Sequence, residues 1–314
     1  MDETDNFNTK FDLLDGNEYF QNLDPQPKQY IYDIASLLDK RIGLKNIVTI
    51  SLFGSQLLSS DERSCISDCD LLIVVDNAVS NDLLKELEPY LLSLEIKHNY
   101  RTNHSDVLKR IIDTVQLTTG MFVSHFVTKE NYCKKSKFYK MFHVSEFLSY
   151  LIAPRRIVIN NVLENNCSLF GADLNQLVKT KLPISSFDMI KSLMMNLLIS
   201  LCSFLILPFK SLKPTIRYQL EAIKWSLRAI NYYIFRDTAS LPMIIKRFSI
   251  LEHRSFRNYG MFYKKFLFLR DYPVEDLKFM TLVPLKILKI HINGIKLRNL
   301  FKRIKNRNLK IKID

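Results

Sequence analysis

Leu71 to Val75 is an unbroken run of five apolar residues, closed by Asp70 on one side and Asp76 on the other. Ile73, Val74 and Val75 are β-branched, the run is too short for an ordinary helix, and no polar member marks a solvent face. Successive side chains of a strand point to opposite faces, so such a run must be covered on both sides. The chain therefore needs a layered sheet with this segment inside it. Asp68 to Asp76 reads as that strand. Asn46 to Phe53 (NIVTISLF) is a strand that Gly54-Ser55 breaks, and Met121 to Thr128 (MFVSHFVT) is a third.

Helical patterns surround these strands. Asp24-Pro25-Gln26-Pro27 starts a helix with Ile31, Ile34, Leu37 and Leu38 on one face, which ends near Arg41-Ile42-Gly43. Asn81 to Glu95 and Val107 to Val115 also read as helices. Beyond about residue 135 the strand runs thin out, and helical spacing dominates 144–165, 186–207, 215–235, 241–252 and 284–305. The expected fold class is α+β, a small mixed β-sheet domain followed by a mainly α-helical bundle domain. The boundaries are an acidic flexible lead-in over 1–24, the sheet domain over 25–135, the helical domain over 136–283 and a basic C-terminal helix or tail over 284–314.

The formal net charge of +13 favours polyanionic partners, but it is unevenly placed. The first thirty residues are acidic and the last thirty basic. The plainest reading of the tail is a solvated helical end; contact with nucleic acid or an anionic surface is the functional one. The five cysteines are odd in number and show no CxxC spacing, which argues against a disulfide framework or a structural zinc site. With an acidic, polar N-terminus unlike a secretory signal, a reducing compartment, the cytoplasm, is expected. Ser192 to Phe209 carries no charge and approaches the length of a membrane span. Asn196, Ser200, Cys202 and Ser203 interrupt it and Pro208 closes it, so a buried bundle helix is preferred to a span.

The chemistry is concentrated in 54–76. Gly54-Ser55 ends one strand, Gln56 to Ser67 form a spacer, and Asp68 and Asp70 open the next strand. Residues two apart on a strand share a face, so the two carboxylates project together while Cys69 turns away. Carboxylates so placed repel unless a cation lies between them, and magnesium takes one or two carboxylates plus substrate phosphates. A glycine allows close backbone approach to a phosphate, and the N–H groups of a following helical turn suit an anion. No GxxxxGK, GxGxxG or HExxH is present. Glu221, Lys224, Trp225 and Arg228 share one face of the helix 215–235. That face either meets a ligand across a domain cleft or packs Trp225 under a solvated charge row.

The segment Ser67-Asp68-Cys69-Asp70-Leu71-Leu72, preceded by a strand, Gly-Ser and this spacer, resembles the motif of the nucleotidyltransferase superfamily, the DNA polymerase beta-like fold. The match covers about residues 46–76. A minimal domain of this kind followed by helices is similar to the kanamycin nucleotidyltransferase architecture. The resemblance implies a metal-dependent enzyme that moves a nucleoside monophosphate from a nucleoside triphosphate, most simply ATP, to an acceptor hydroxyl, releasing pyrophosphate. It implies Asp68 and Asp70 as catalytic metal ligands for one or two Mg²⁺, with Gly54, Ser55 and Ser67 on the nucleotide. The acceptor is a small molecule, a protein or an RNA.

Two departures stand out. Gln56-Leu57-Leu58 follow Gly-Ser where many members have small or basic residues. The third carboxylate, expected on a later strand, is missing from 121–128, which offers Ser124 and His125. His125 is either a substitute for that acid or simply a packed strand histidine; Glu95 is a weaker substitute, and Asp113 reads as surface. The alternative function is a catalytically weakened module that binds nucleotide or RNA. A third reading is membrane association through 192–209 and the basic tail.

Overall fold

A computed structural model describes the backbone of residues 14, 16–57, 69–101, 123–178, 182–209, 215–252 and 259–310. It also describes their side chains, except those of 55, 209, 249–252, 259 and 300–310. The described chain is an α+β fold with a four-stranded mixed sheet and a large helical part. In chain order come α1 (Pro25–Ile42), β1 (Ile47–Phe53), β2 (Asp70–Val75), α2 (Asn81–Lys97) and β3 (His125–Lys129). Then follow α3 (Glu146–Ile152), α4 (Arg155–Glu164), β4 (Asn166–Gly171), α5 (Ser186–Ile206) and α6 (Ile216–Phe235). The chain continues through α7 (Leu241–Glu252), α8 (Tyr259–Asp271) and α9 (Leu277–Lys310).

The sheet order is β3-β2-β1-β4, with β1 antiparallel to both neighbours and β2 parallel to β3. The central position of the Leu71–Val75 run follows from its composition, and all five residues are fully buried. Leu71, Ile73 and Val75 face one layer, where Tyr30, Ile34 and Leu38 of α1 meet Leu87 and Leu91 of α2. Leu72 and Val74 face the other, with Phe126, Ile159, Val162 and Leu163. Each layer removes one side of the strand from water, which is what an apolar run without alternation requires.

The fourth strand departs from the expected pattern. Asn166–Gly171 (NCSLFG) lies in a region whose spacing predicts helices, yet it pairs with β1 from Thr49↔Gly171 to Phe53↔Asn166. Its propensity is weak, and the edge of β1, together with a Ser51–Ser168 hydroxyl contact at 3.2 Å, supplies what the local sequence lacks. The expected helix over 144–165 is split into α3 and α4 around Pro154, which cannot continue α3. α8 has no counterpart among the expected helices, although Phe262, Phe266 and Leu269 sit at helical spacing and are buried. α9 begins seven residues before the expected start at Pro284. The Asp276 carboxylate accepts from the Phe279 N–H at 2.8 Å and caps the true N-terminus, leaving Pro284 inside the helix. The predicted helix over 107–115, with Asp113, lies outside the described residues.

α5, α6 and α9 form a bundle whose core includes Ile199, Ile223, Ile230, Phe266, Met280 and Ile287. α6 runs antiparallel to α5: Gln219 meets Ser200 and Ser203, and Tyr233 meets Ser186. Gly294 of α9 lies against Ile230 of α6, where a Cβ would sit 2.5 Å from the isoleucine side chain. The small residue sets the spacing of the two helices.

Candidate functional site

The site is built where β1 ends. The chain leaves the strand at Gly54 with φ +84°, a conformation side chains disfavour, and enters a short helical turn over Gly54–Leu57. β2 begins opposite, in register Phe53↔Asp70. The Asp70 carboxylate consequently lies over Gly54, with its Oδ2 2.5 Å from where a Cβ at 54 would stand. Glycine is needed here twice, for its backbone angle and for the space the carboxylate occupies. The structure thus brings Gly54 and Asp70 together across the antiparallel pair. Asp68, Ser67 and the Ser55 side chain lie outside the described residues.

Asp70 stands on the Leu72–Val74 face of the sheet, toward α4 and α6. A small cleft of about 30 Å³ opens there, space for little more than a water or two. Phe53 and Gly54 form one wall, Asn161 and Asn165 of α4 another, and Trp225, Arg228 and Asn231 of α6 a third. Asn165 donates through Nδ2 to the Gly54 carbonyl at 3.2 Å, tying the bend to α4. Asp237, at the cleft rim, accepts from Asn231 and from Arg247 at 2.7 and 2.8 Å. Burial would raise its carboxyl pKa, but those hydrogen bonds outweigh burial and hold it below the ordinary value.

The charge row of α6 turns inward. Glu221 and Lys224 form an ion pair, and their side chains are only 15% and 14% exposed. Burial pushes Arg228 down from its ordinary pKa, and Arg270 adds to this; Glu221 and Asp70 pull it back up. Lys224 is likewise lowered, first by burial, with Glu221 opposing. Among the described residues, Lys224, Arg228 and Arg270 lie within electrostatic reach of Glu221, and Asp70 within reach of Arg228. Burial strengthens each of these interactions over its value in water. Trp225 lies among these charges, 5.7 Å from Lys224 Nζ and 6.0 Å from Arg228 Cζ, measured to its ring centroid. Trp225 packs against the bundle core, as the packing reading of this helix face expects, and with Arg228 it also lines the cleft.

No protein-family model matches this chain, and no curated protein matches it significantly.

The substitutes weighed for the third acid are not beside Asp70. β2 and β3 are parallel with Leu71 opposite His125, so His125 shares the face of Leu71 and points to the other side of the sheet. There its Nδ1 is 2.9 Å from Glu95 Oε1 and its Nε2 3.7 Å from Glu88 Oε2. Burial would lower its pKa, but the two carboxylates outweigh it and raise it to about 9. Glu88 is correspondingly held below the ordinary carboxylate range. Glu95 is 1% exposed and accepts from the Ser124 N–H at 2.8 Å and from Arg101 at 3.5 Å, so it is anchored on that same far face. His125 is therefore an ion-paired core histidine. A one-residue shift in strand parity, invisible without the register, separates the two outcomes.

Among the described residues, no group of three His, Cys, Asp or Glu side chains could hold a metal ion. The Asp70 carboxylate is the hard oxygen donor that magnesium takes, and only one member of the Asp68/Asp70 pair is described. The cationic cluster and the asparagines of α4 carry no short motif. Only the periodicity of α6 hinted at the former.

Proposed function

We propose that the protein is a nucleotidyltransferase that binds a nucleoside triphosphate, most simply ATP, at the end of β1, beside Gly54 and Asp70 and facing α6. It transfers the nucleoside monophosphate to an acceptor hydroxyl. The observation that carries this is the Asp70 carboxylate seated on Gly54, which lines a cleft shared with Arg228. Asp68 and Asp70 would hold Mg²⁺, and Gly54, Ser55 and Ser67 would grip the phosphates. Bound magnesium would neutralise charge on the triphosphate and polarise the reacting phosphoryl group. Lys224, Arg228 and Arg270 attract and orient the polyanion from the helical side, and Trp225 offers a face on which a base can stack. The acceptor hydroxyl attacks the α-phosphorus in line. The P–O bond to the β-phosphate breaks, pyrophosphate leaves with that electron pair, and the hydroxyl proton passes to solvent. Positioning of this kind supplies much of the rate in phosphoryl and nucleotidyl transfer. The four described cysteines are free, which suits the cytoplasm as the working compartment.

The test is pyrophosphate release from labelled triphosphates, supplied with a cell-extract pool of acceptors. Asp70→Asn should lose it by at least ~10²-fold while circular dichroism and melting temperature stay put. Full activity in that variant refutes the mechanism.

One observation favours a second reading, a module that binds nucleotide or RNA with little turnover. On the Asp70 face, β3 offers Phe126 and Thr128 and no carboxylate. Binding through Lys and Arg alone would weaken steeply with salt and survive chelator. Transfer at a metal site would vanish with chelator at constant salt.

A further inference from the structure

α5 is turned inside out relative to a helix that faces water. Its polar residues Ser192, Asn196, Ser200 and Ser203 are at most 1% exposed. They are hydrogen-bonded within the bundle: Ser192 with His291 of α9 at 3.2 Å, Ser200 and Ser203 with Gln219 of α6. Its outward face is Phe187, Ile190, Met194, Leu198, Leu201 and Leu205, each between 40% and 64% exposed. These recur at helical spacing along nearly the whole helix, with no charge among them. A solvated helix shows the opposite arrangement, and a patch of this kind marks a contact with an apolar phase.

The patch extends onto both flanking helices. At one end, Lys191 Nζ lies 4.9 Å from the Tyr150 ring and 5.0 Å from the Phe187 ring. This joins α5 to Phe147, Tyr150 and Leu151 of α3, all at least 50% exposed. Alongside, α9 exposes Leu285, Leu288 and Ile292. α9 is also free of acids, and among its described side chains Lys289 and Lys296 stand one turn from Leu285 and Ile292. Arg155, 5.2 Å from the Tyr150 ring, adds a cation at the α3 end.

We propose that α3, α5 and α9 form one face that lies flat on an anionic lipid bilayer. The apolar side chains enter the boundary between headgroups and acyl chains, and Lys289 and Lys296 of α9 lie among the lipid phosphates. An apolar stripe with a basic flank is the pattern of a helix held in the membrane plane. α5 is long and apolar enough to cross a membrane, but half of it is buried in the bundle, and crossing would strip its serines and asparagine of their partners. A second copy on this face would bring two acid-free helices together. A nucleic acid would meet six uncharged side chains. Only an anionic bilayer satisfies both the stripe and its flank. The proposal is independent of the activity at Asp70.

The test is co-sedimentation of the full chain with vesicles of phosphatidylcholine alone or mixed with phosphatidylserine. Binding is expected to the mixed vesicles, at least ~10-fold weaker to the neutral ones, and reduced by added salt. The double substitution Leu198→Glu with Leu201→Glu should lower it by ~10-fold or more without changing the melting temperature. Leu205→Glu with Leu285→Glu is the independent second variant. Failure to bind mixed vesicles, or binding unchanged in both variants, overturns the proposal. So does a concentration-dependent dimer that the substitutions dissolve, or release of the vesicles by stoichiometric RNA.

Discussion

Gly54 and Asp70 show how one absent atom shapes a site. A methyl at 54 would collide with the Asp70 carboxylate and would force φ +84° on an L residue. Left-handed backbone costs a non-glycine residue roughly 1–2 kcal/mol. Gly54→Ala should therefore lower stability by about that much in urea unfolding, while displacing the acid on which transfer depends. Pyrophosphate release should fall much further than the stability loss explains. If Gly54→Ala keeps full activity, the carboxylate does not need its seat. His125 carries the converse lesson. Its chemistry suits catalysis, but its neighbours Glu88 and Glu95 make it part of a buried ionic network on the far side of the sheet.

At the scale of elements, α5 and α6 are joined by polar groups in an otherwise apolar bundle. Gln219 donates through Nε2 to the Ser200 carbonyl at 2.8 Å and to the Ser203 hydroxyl, and accepts from the Ser200 hydroxyl. One amide thus satisfies three buried groups. Gln219→Leu keeps the volume but orphans the Ser200 hydroxyl, while the Ser203 hydroxyl keeps its bond to the Ser200 carbonyl at 2.7 Å. The cost should be about 1–3 kcal/mol, that of one unsatisfied buried group. A urea midpoint unchanged by Gln219→Leu would mean that the network does not hold the helices. The N-terminus of α5 is fixed separately, by a capping box in which Ser185 and Asp188 exchange hydrogen bonds.

For the whole molecule, two buried histidines set opposite limits on pH stability. His125 has a folded pKa of about 9, raised above its ordinary 6.5. Its contribution is complete below about 6.5 and is lost as pH rises toward 9. His291 is lowered to about 4 by burial, the Ile287 carbonyl only partly opposing. The unfolded chain takes up that proton first, so stability falls as pH drops from 6.5 toward 4. Unfolding free energy should therefore peak near pH 6–7. His125→Gln should flatten the alkaline limb and lower stability at neutral pH, because it removes the cation beside the buried Glu95 carboxylate. His291→Gln should flatten the acid limb. A pH profile left unaltered by either variant contradicts the assignment of these limbs.

Much of the architecture was legible in the chain because it follows from local chemistry. The Leu71–Val75 run required cover on two faces, Asp24-Pro25 started α1, and the spacing of α5, α6 and α7 marked them as helices to within a residue or two. The Gly54–Asp70 juxtaposition could also be read, since strand, break and strand leave few ways to bring the parts together. β4 could not, because its six residues have little preference of their own and become a strand only through the free edge of β1. The side of the sheet on which His125 lies could not either, since parity across a parallel pair depends on register, which no local pattern states. The polar residues of α5 read as interruptions of an apolar helix. Only packing decided that they face inward and that the apolar side faces out, because which side of a helix meets its neighbours is set by the partners it finds.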